Sequence, residues 1–485
     1  MRSRAYLPLM LGFKSKKDRA SHDEREAQKR VVEKTAAEGR PAVRTPAKKL
    51  DFQIQAIVGN IIFSSREVWA YYDIPTTIYD FWPNSRKVGY ANELTAAFSN
   101  IVKNGDRVQD CHIRVTNSPI DVDQWEADYL KVSEGWHRRA GFQNFIDEQI
   151  DWLREGGFFE KRVYLGVCLG RRHELDTDLA NPFNAGLKDA ARYLKKYLDG
   201  ALQVVDKSVS QEELAHAQAQ EKDLRTTLEQ SKLKASPSTT EDLALLIKKS
   251  FYPAMPVPYL SIDDEVYGRG DLVKELGSII KTDDPKTLEF EQQIGGEFYT
   301  GYMATLTFKK FNETMNIPYG TPWIYASVFS PVNAPFDVSC RFSLVPAKKI
   351  QGEIEKGINE TQDAAENALG ANKTPTPAIR DRMAVADAML REVEENKTTP
   401  WVSGTYRIQL TAPDKETLQE YCKGMMSFYD ESMGGTKLVW TFHDQLDLML
   451  EAMPGDYLRE NSFVQTTNIA MLSTSGFNVL NEVGD

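Results

Sequence analysis

The spacing of hydrophobic positions changes several times along this chain, and each change marks an element. Ile54, Ala56 and Val58 alternate, and Ile61 to Phe63 run together, as short strands do. Val68 to Ile74 (VWAYYDI) predicts an aromatic strand. Leu94, Ala97, Phe98 and Ile101 fall at helical spacing within Asn92 to Val102, and Val108 to Val115 returns to strand. Trp125, Tyr129 and Leu130 open a helical stretch, which Phe142, Phe145, Ile146, Ile150 and Leu153 continue after Gly141. Arg162 to Leu169 (RVYLGVCL) is the clearest buried strand of the first half. A helical stripe then runs from Leu187 to Val205. Gln211 to Lys234 is so polar that it predicts the solvent-facing arm of a helical hairpin.

Ser236 to Thr240 forms a Ser/Pro linker into a short helix at Glu241 to Lys249, and Pro253, Pro256 and Pro258 punctuate the chain beyond that helix. The second half is strand-rich: Leu288 to Gln293, Phe298 to Phe308, Trp323 to Phe329 and Phe336 to Val345. A helical hairpin over Ala347 to Leu369 and Ile379 to Glu395 comes next. A β-α-β unit closes the half: Tyr406 to Leu410, Lys415 to Tyr429 and Leu438 to Phe442. No strict sequence repeat links the halves. The layout predicts an α+β protein of two layered modules, ferredoxin-like in arrangement, each with a helical-hairpin insertion. The expected boundaries are a basic arm at 1–50, a first module at 51–235, a linker at 236–258, a second module at 259–456 and a lead-in at 457–485.

Charge refines this picture. The chain of 485 residues carries a net charge of −11. Residues 1–50 hold 14 basic and 6 acidic side chains, so the remainder is strongly acidic and a poor general phosphate binder. The basic arm predicts a solvated, disordered tail. Tyr6 to Phe13 is apolar, but Pro8 interrupts it and lysines follow rather than precede it, so it is not a secretory signal. No apolar run approaches the roughly 20 residues of a membrane-spanning helix.

Few residues offer chemistry. Cys111, Cys168, Cys340 and Cys422 are scattered, and Cys111–His112 would point to opposite faces of a strand, so buried thiols are expected rather than a metal site. Ser432 to Lys437 (SMGGTK) lacks the spacing of a phosphate loop and predicts a turn. Ile262 to Glu265 imitates a magnesium-binding strand end but has no phosphate loop upstream. His443–Asp444 lacks further metal ligands nearby and predicts a helix start. Trp136 to Arg139 and Gly170 to His173 are compact basic clusters, expected on a helix face and a strand end. No catalytic residue, cofactor ligand or metal ligand is assigned.

The C-terminal quarter carries a resemblance. Asp444 to Asp456 (DQLDLMLEAMPGD) is an amphipathic helix running into Met453-Pro454-Gly455, followed by Thr466 to Leu472 and by a Val483-Gly484-Asp485 ending. This resembles the stretch preceding the motor domain in conjugative-transfer ATPases of the VirB/TraC type, the large ATPases of type IV secretion systems. Upstream, Trp69, Tyr71, Tyr72 and Pro75, with Tyr79 and Phe81, resemble the N-terminal module of the actinobacterial and Gram-positive branch. Met453 replaces the leucine usual in that family.

The resemblance implies the non-motor, assembly half of such an ATPase. In the family that half docks the motor onto inner-membrane channel components and supports oligomerisation, at the cytoplasmic face of the membrane. ATP and magnesium would bind only to a motor domain supplied by a continuing or separate chain, and nucleic-acid contact would be indirect. The motif residues, and the aromatic strand among them, are expected to form docking surfaces. A stand-alone scaffold, and an enzyme with an unrecognised site, are the alternatives.

Overall fold

A computed structural model describes residues 50–77, 82–102, 108–119, 141–156, 159–172, 209–258, 260, 262, 266–311, 323–324, 332, 335–370, 377–397, 399–433, 436–442 and 444–479. The first strands are β1 (Ile54–Val58), β2 (Ile61–Ser64) and β3 (Glu67–Ile74), followed by α1 (Asn84–Ile101) and β4 (Gln109–Pro119). Next come α2 (Phe142–Gly156), β5 (Phe159–Arg171), α3 (Gln211–Glu229), β6 (Ser236–Pro237) and α4 (Thr240–Lys249). The middle of the chain forms β7 (Val266–Gly268), α5 (Arg269–Leu276), β8 (Ile279–Lys281), β9 (Leu288–Ile294), β10 (Glu297–Lys310) and β11 (Phe336–Val345). The last third forms α6 (Ala347–Gly370), α7 (Pro377–Glu395), β12 (Trp401–Ala412), α8 (Lys415–Ser432), β13 (Lys437–Trp440), α9 (Gln445–Glu451), β14 (Gln465–Asn468) and α10 (Ile469–Ser473).

The fold is α+β, and among the described residues every strand joins one antiparallel sheet. The order β6-β3-β5-β4 continues into β11-β12-β10-β13. Numbered by chain order within each half, both sets run fourth, first, third, second outward to inward, the order of a ferredoxin-like sheet. The two second strands, β4 and β11, pair with each other from Leu344↔Gln109 to Val338↔Val115. The halves are therefore related by a pseudo-two-fold through the sheet centre. In the first half β3-α1-β4 straddles β5, and in the second β12-α8-β13 straddles β10.

Alternation along the strands divides the core in two. Ala70, Tyr72 and Ile74, Cys111, Ile113 and Val115, and Val338, Cys340 and Phe342 face one side, where α1, α3, α8 and α10 cover them. Trp69, Tyr71 and Tyr164 face the other, against α4, α5, α9 and Met453. A capping box at Thr239, whose hydroxyl accepts the Asp242 amide while Asp242 accepts the Thr239 amide, starts α4.

Several expectations need correction. The segment Gln211 to Lys234 is not a solvent-facing arm. As α3 it buries Ala217, Leu224 and Leu228 on the sheet and connects β5 to β6 as a crossover helix. Its polarity misled because one buried position, Glu221, is an acid that accepts from Tyr72 and Asn60. Of the expected strand at Trp323 to Phe329, only Trp323 and Ile324 lie among the described residues, in a turn where the Trp323 indole donates to the Met471 carbonyl. The hairpin of the second half is α6–α7, inserted between β11 and β12. The stripe from Leu187 to Val205 and the stretch from Trp125 to Leu130 lie outside the described residues.

Candidate functional site

The central strands carry an unusual pattern on the face opposite α1 and α3. There β4 presents His112, Arg114 and Thr116, β11 presents Ser339 and Arg341, and β12 presents Thr405, Arg407 and Gln409, all buried. Burying so many polar groups is sustainable only if each finds a partner. The segment from Glu451 to Glu460 supplies many of them.

Arg341 donates through Nε to the Glu451 carbonyl at 2.8 Å and through Nη2 to the Met453 carbonyl at 2.7 Å. Its guanidinium also lies over the Trp69 ring, 5.1 Å from the centroid. The Gly455 amide donates to the Tyr71 hydroxyl at 2.9 Å. That hydroxyl is 3.0 Å from His112 Nδ1, and His112 Nε2 is 2.9 Å from Ser339 Oγ. The network assigns the proton of the ring to Nε2: Tyr71 donates to Nδ1, and Nε2–H donates to Ser339. Burial, then the Arg341 and Arg114 charges, hold His112 well below its ordinary pKa, so it is neutral. Burial pushes the Tyr71 hydroxyl up to about 12.

Glu451 and Arg407 form a buried ion pair, and Arg407 Nη2 also donates to the Glu460 carbonyl at 2.8 Å. The second Glu451 oxygen accepts the amides of Arg459 and Glu460 at 3.1 and 3.0 Å. Burial raises the Glu451 pKa, and Arg407 opposes that rise. Arg459 grips Asp456 at 2.8 Å and reaches the Asp51 carbonyl at 2.7 Å. On the neighbouring strands Arg114, Thr116 and Lys249 converge on Asp337 at 2.8, 3.0 and 3.2 Å.

The Ser339–His112–Tyr71 chain has the spacing of a nucleophile, a base and an orienting group. Its surroundings differ from those of a catalytic site. Ser339 is 3% exposed and His112 0%, and the Tyr71 hydroxyl is capped by the Gly455 amide, so no substrate atom can reach the serine. The arrangement clamps the Met453–Asp456 turn onto the sheet.

The structure thus brings Trp69, Tyr71, Met453 and Gly455 together, with Pro454 buried beside them. Tyr72 faces the opposite side, where its hydroxyl donates to Glu221 at 3.0 Å. Pro75 is exposed beyond the end of β3. Tyr79, Phe81, Val483, Gly484 and Asp485 lie outside the described residues. The expectation that the aromatic strand offers a docking surface is corrected: Trp69, Tyr71 and Tyr72 are 2%, 0% and 0% exposed, because β3 runs between β2 and β5 in the sheet interior.

Cys111 and His112 point to opposite faces, and Cys111, Cys340 and Cys422 are buried free thiols. Among the described residues no three His, Cys, Asp or Glu side chains gather as a metal site would require. A shallow open depression beside the turn at Ser432 to Lys437 is lined by Asp430, Glu431 and Lys437, a poor setting for phosphate. Arg172, within one of the basic clusters, is paired with Glu213. Residues 136–139, 263–265 and 443 lie outside the described residues. Among the described residues, no helix is long and apolar enough to cross a membrane.

Sequence reasoning missed His112, Ser339, Arg341, Arg407 and Glu451. The available signal was a shared alternation, polar at 112, 114 and 116, at 337, 339 and 341, and at 405, 407 and 409. No protein-family model matches the chain, and no curated protein matches it.

Proposed function

We propose that this chain is the assembly half of a conjugative-transfer ATPase of the type IV secretion kind, acting as a docking module rather than as the motor. The observation that carries this reading is the meeting of its two motif blocks. The aromatic strand and the Met-Pro-Gly turn, 384 residues apart at Tyr71 and Gly455, share a hydrogen bond. Motifs that read separately as weak resemblances are one structural unit, as expected if both belong to the same module.

The path of the chain after that unit supports the same reading. The Thr77 amide donates to the Asn478 carbonyl at 2.9 Å, and Thr77 bridges to Val479. The described chain therefore reaches its last residue, Val479, beside Thr77, three residues past the end of β3. On this proposal a motor, continuing or on a separate chain, attaches there and brings the ATP and magnesium site. The module oligomerises with further copies and docks on inner-membrane channel components at the cytoplasmic face. Nucleic acid is handled by the assembled machine.

ATP binding and hydrolysis should be measured on the purified chain, alone and then mixed with the product of the adjacent downstream reading frame. Activity only in the mixture is the expected result. Hydrolysis by the chain alone, or no complex with any motor-bearing product, would overturn the proposal.

A further inference from the structure

The three-stranded wing β8-β9-β10 leaves two large apolar side chains in solvent. Phe298 is 84% exposed and Ile279 is 61% exposed. Register places them on the same face. Ile279 pairs with Glu291, which pairs with Thr300, and Phe298 pairs with Gln293 two positions along. The hairpin tip is a Gly295-Gly296 turn with φ of 60° and 91°, the left-handed backbone that matches a two-residue turn to the twist of its strands. Phe298 is thus presented on a firm support rather than a loop. Such a side chain, rimmed by polar groups, marks a contact site.

The rim is acidic. On the face of Ile279 and Phe298 register places Glu289 and Glu291 with Lys281, Asp283 is exposed beside them, and Asp284 is paired with Lys415 at 2.6 Å. Lys281 bridges Glu289 at 2.9 Å and also pairs with Glu291, so the carboxylates form one patch beside Ile279. An acidic rim disfavours an anionic membrane surface and favours a basic occupant.

A basic, partly apolar segment begins close by. Residues 1–50 hold 14 basic and 6 acidic side chains, and Tyr6 to Phe13 is followed directly by Lys14, Lys16 and Lys17. This segment joins the described chain at Leu50. Phe52 then packs on Phe251, 6.5 Å between ring centroids, and the Phe251 carbonyl accepts from Ser278, the residue before Ile279. Its root therefore stands next to the wing, and the roughly 3.3 Å per residue of extended chain spans the rest many times over. We propose that residues 1–49 of the same chain fold back across the free edge of β8, seating the Tyr6–Phe13 run on Phe298 and Ile279 with the following lysines against Glu289 and Glu291. The proposal is independent of the secretion reading.

The test is zero-length carboxyl–amine crosslinking of the full chain, with crosslinks identified by mass spectrometry. A mixture of isotopically light and heavy protein separates links within a chain from links between chains. Crosslinks from Lys14, Lys16 or Lys17 to Glu289 or Glu291 are expected within one chain, with a yield that falls as salt rises. Phe298→Asp should lower the yield about tenfold or more, the scale of losing one buried phenyl ring. The variant should keep the parent's circular dichroism and a cooperative unfolding transition, so a fall in yield reports lost docking and not lost folding. Absence of these links, links only between chains, or an undiminished yield in Phe298→Asp would each overturn the proposal.

Discussion

A side chain at position 455 has nowhere to go. Gly455 has φ of 77°, and a Cβ there would approach Ile62 Cγ2 to 2.4 Å. The turn must lie this close to β2 for its amide to reach Tyr71. Gly455→Ala should therefore cost about 2–4 kcal/mol, combining backbone strain and overpacking. Urea unfolding with an unchanged m-value is the check. His112 sets a pH dependence at the same spot. Its pKa is lowered on folding, so the unfolded chain takes up a proton there at a pH where the native chain does not. Stability should decline as pH falls below about 6.5, by up to about 1.4 kcal/mol per pH unit for this one group. Glu451 and Asp456 act in the opposite sense. Burial raises both, so their contribution to stability grows as pH falls into the carboxylate range. Unfolding titrations between about pH 7 and 5 should show the decline, and His112→Gln should flatten it. A level curve in the parent protein would contradict the neutral, buried assignment.

Among the elements, the α6–α7 hairpin is the most separable. It packs a small cluster of its own, Ile350, Ile354, Ala386, Met389 and Val393 with Val345 and Trp401, and touches the rest through a Glu392–Asn468 contact. Val345 and Trp401 are paired at the ends of β11 and β12, so an Asn-Gly turn can replace residues 346–400. The shortened protein should keep its sheet, lose helical circular dichroism, and lose about 1–3 kcal/mol through exposure of Val345 and Trp401. Loss of the cooperative transition would show that the hairpin is part of the fold's core. This hairpin was legible in the sequence because its period is regular and Pro375 and Pro377 interrupt it between the two arms. The ferredoxin-like strand order in each half was expected, but the pairing of β4 with β11 was not, since edge-to-edge register leaves no local signal. The polar face of β4, β11 and β12 was the hardest to read. Alternation shows which residues share a face, yet a polar face normally meets water. Nothing local reveals that Glu451 to Glu460 arrives to cover it. Glu221 misleads for the same reason: a buried acid with two donors looks, in sequence, like a surface residue.

Across the whole molecule the two halves share a sheet and a core. The larger hydrophobic cluster contains Leu94 and Val163 from the first half and Tyr406 and Met425 from the second. Splitting the chain between 235 and 259 would open the β4–β11 pairing and expose both edges. Residues 51–258 and 259–479 produced separately should be insoluble or molten, while co-production should restore a soluble complex. Independent cooperative unfolding of either half would refute a shared core.

The clamp at Tyr71 also has a consequence in time. Its donor, Gly455, is 384 residues further along the chain. At about 5–20 residues per second, a ribosome needs roughly 20–80 s to deliver it after Tyr71 has been made. Throughout that wait the aromatic strand has no lid, while Arg341 waits 112 residues for the Met453 carbonyl and Arg407 53 residues for that of Glu460. The nascent chain therefore exposes a sticky, half-polar sheet until the Met-Pro-Gly turn has been made. Closure of the Met-Pro-Gly turn becomes a late signal that everything before it is in place.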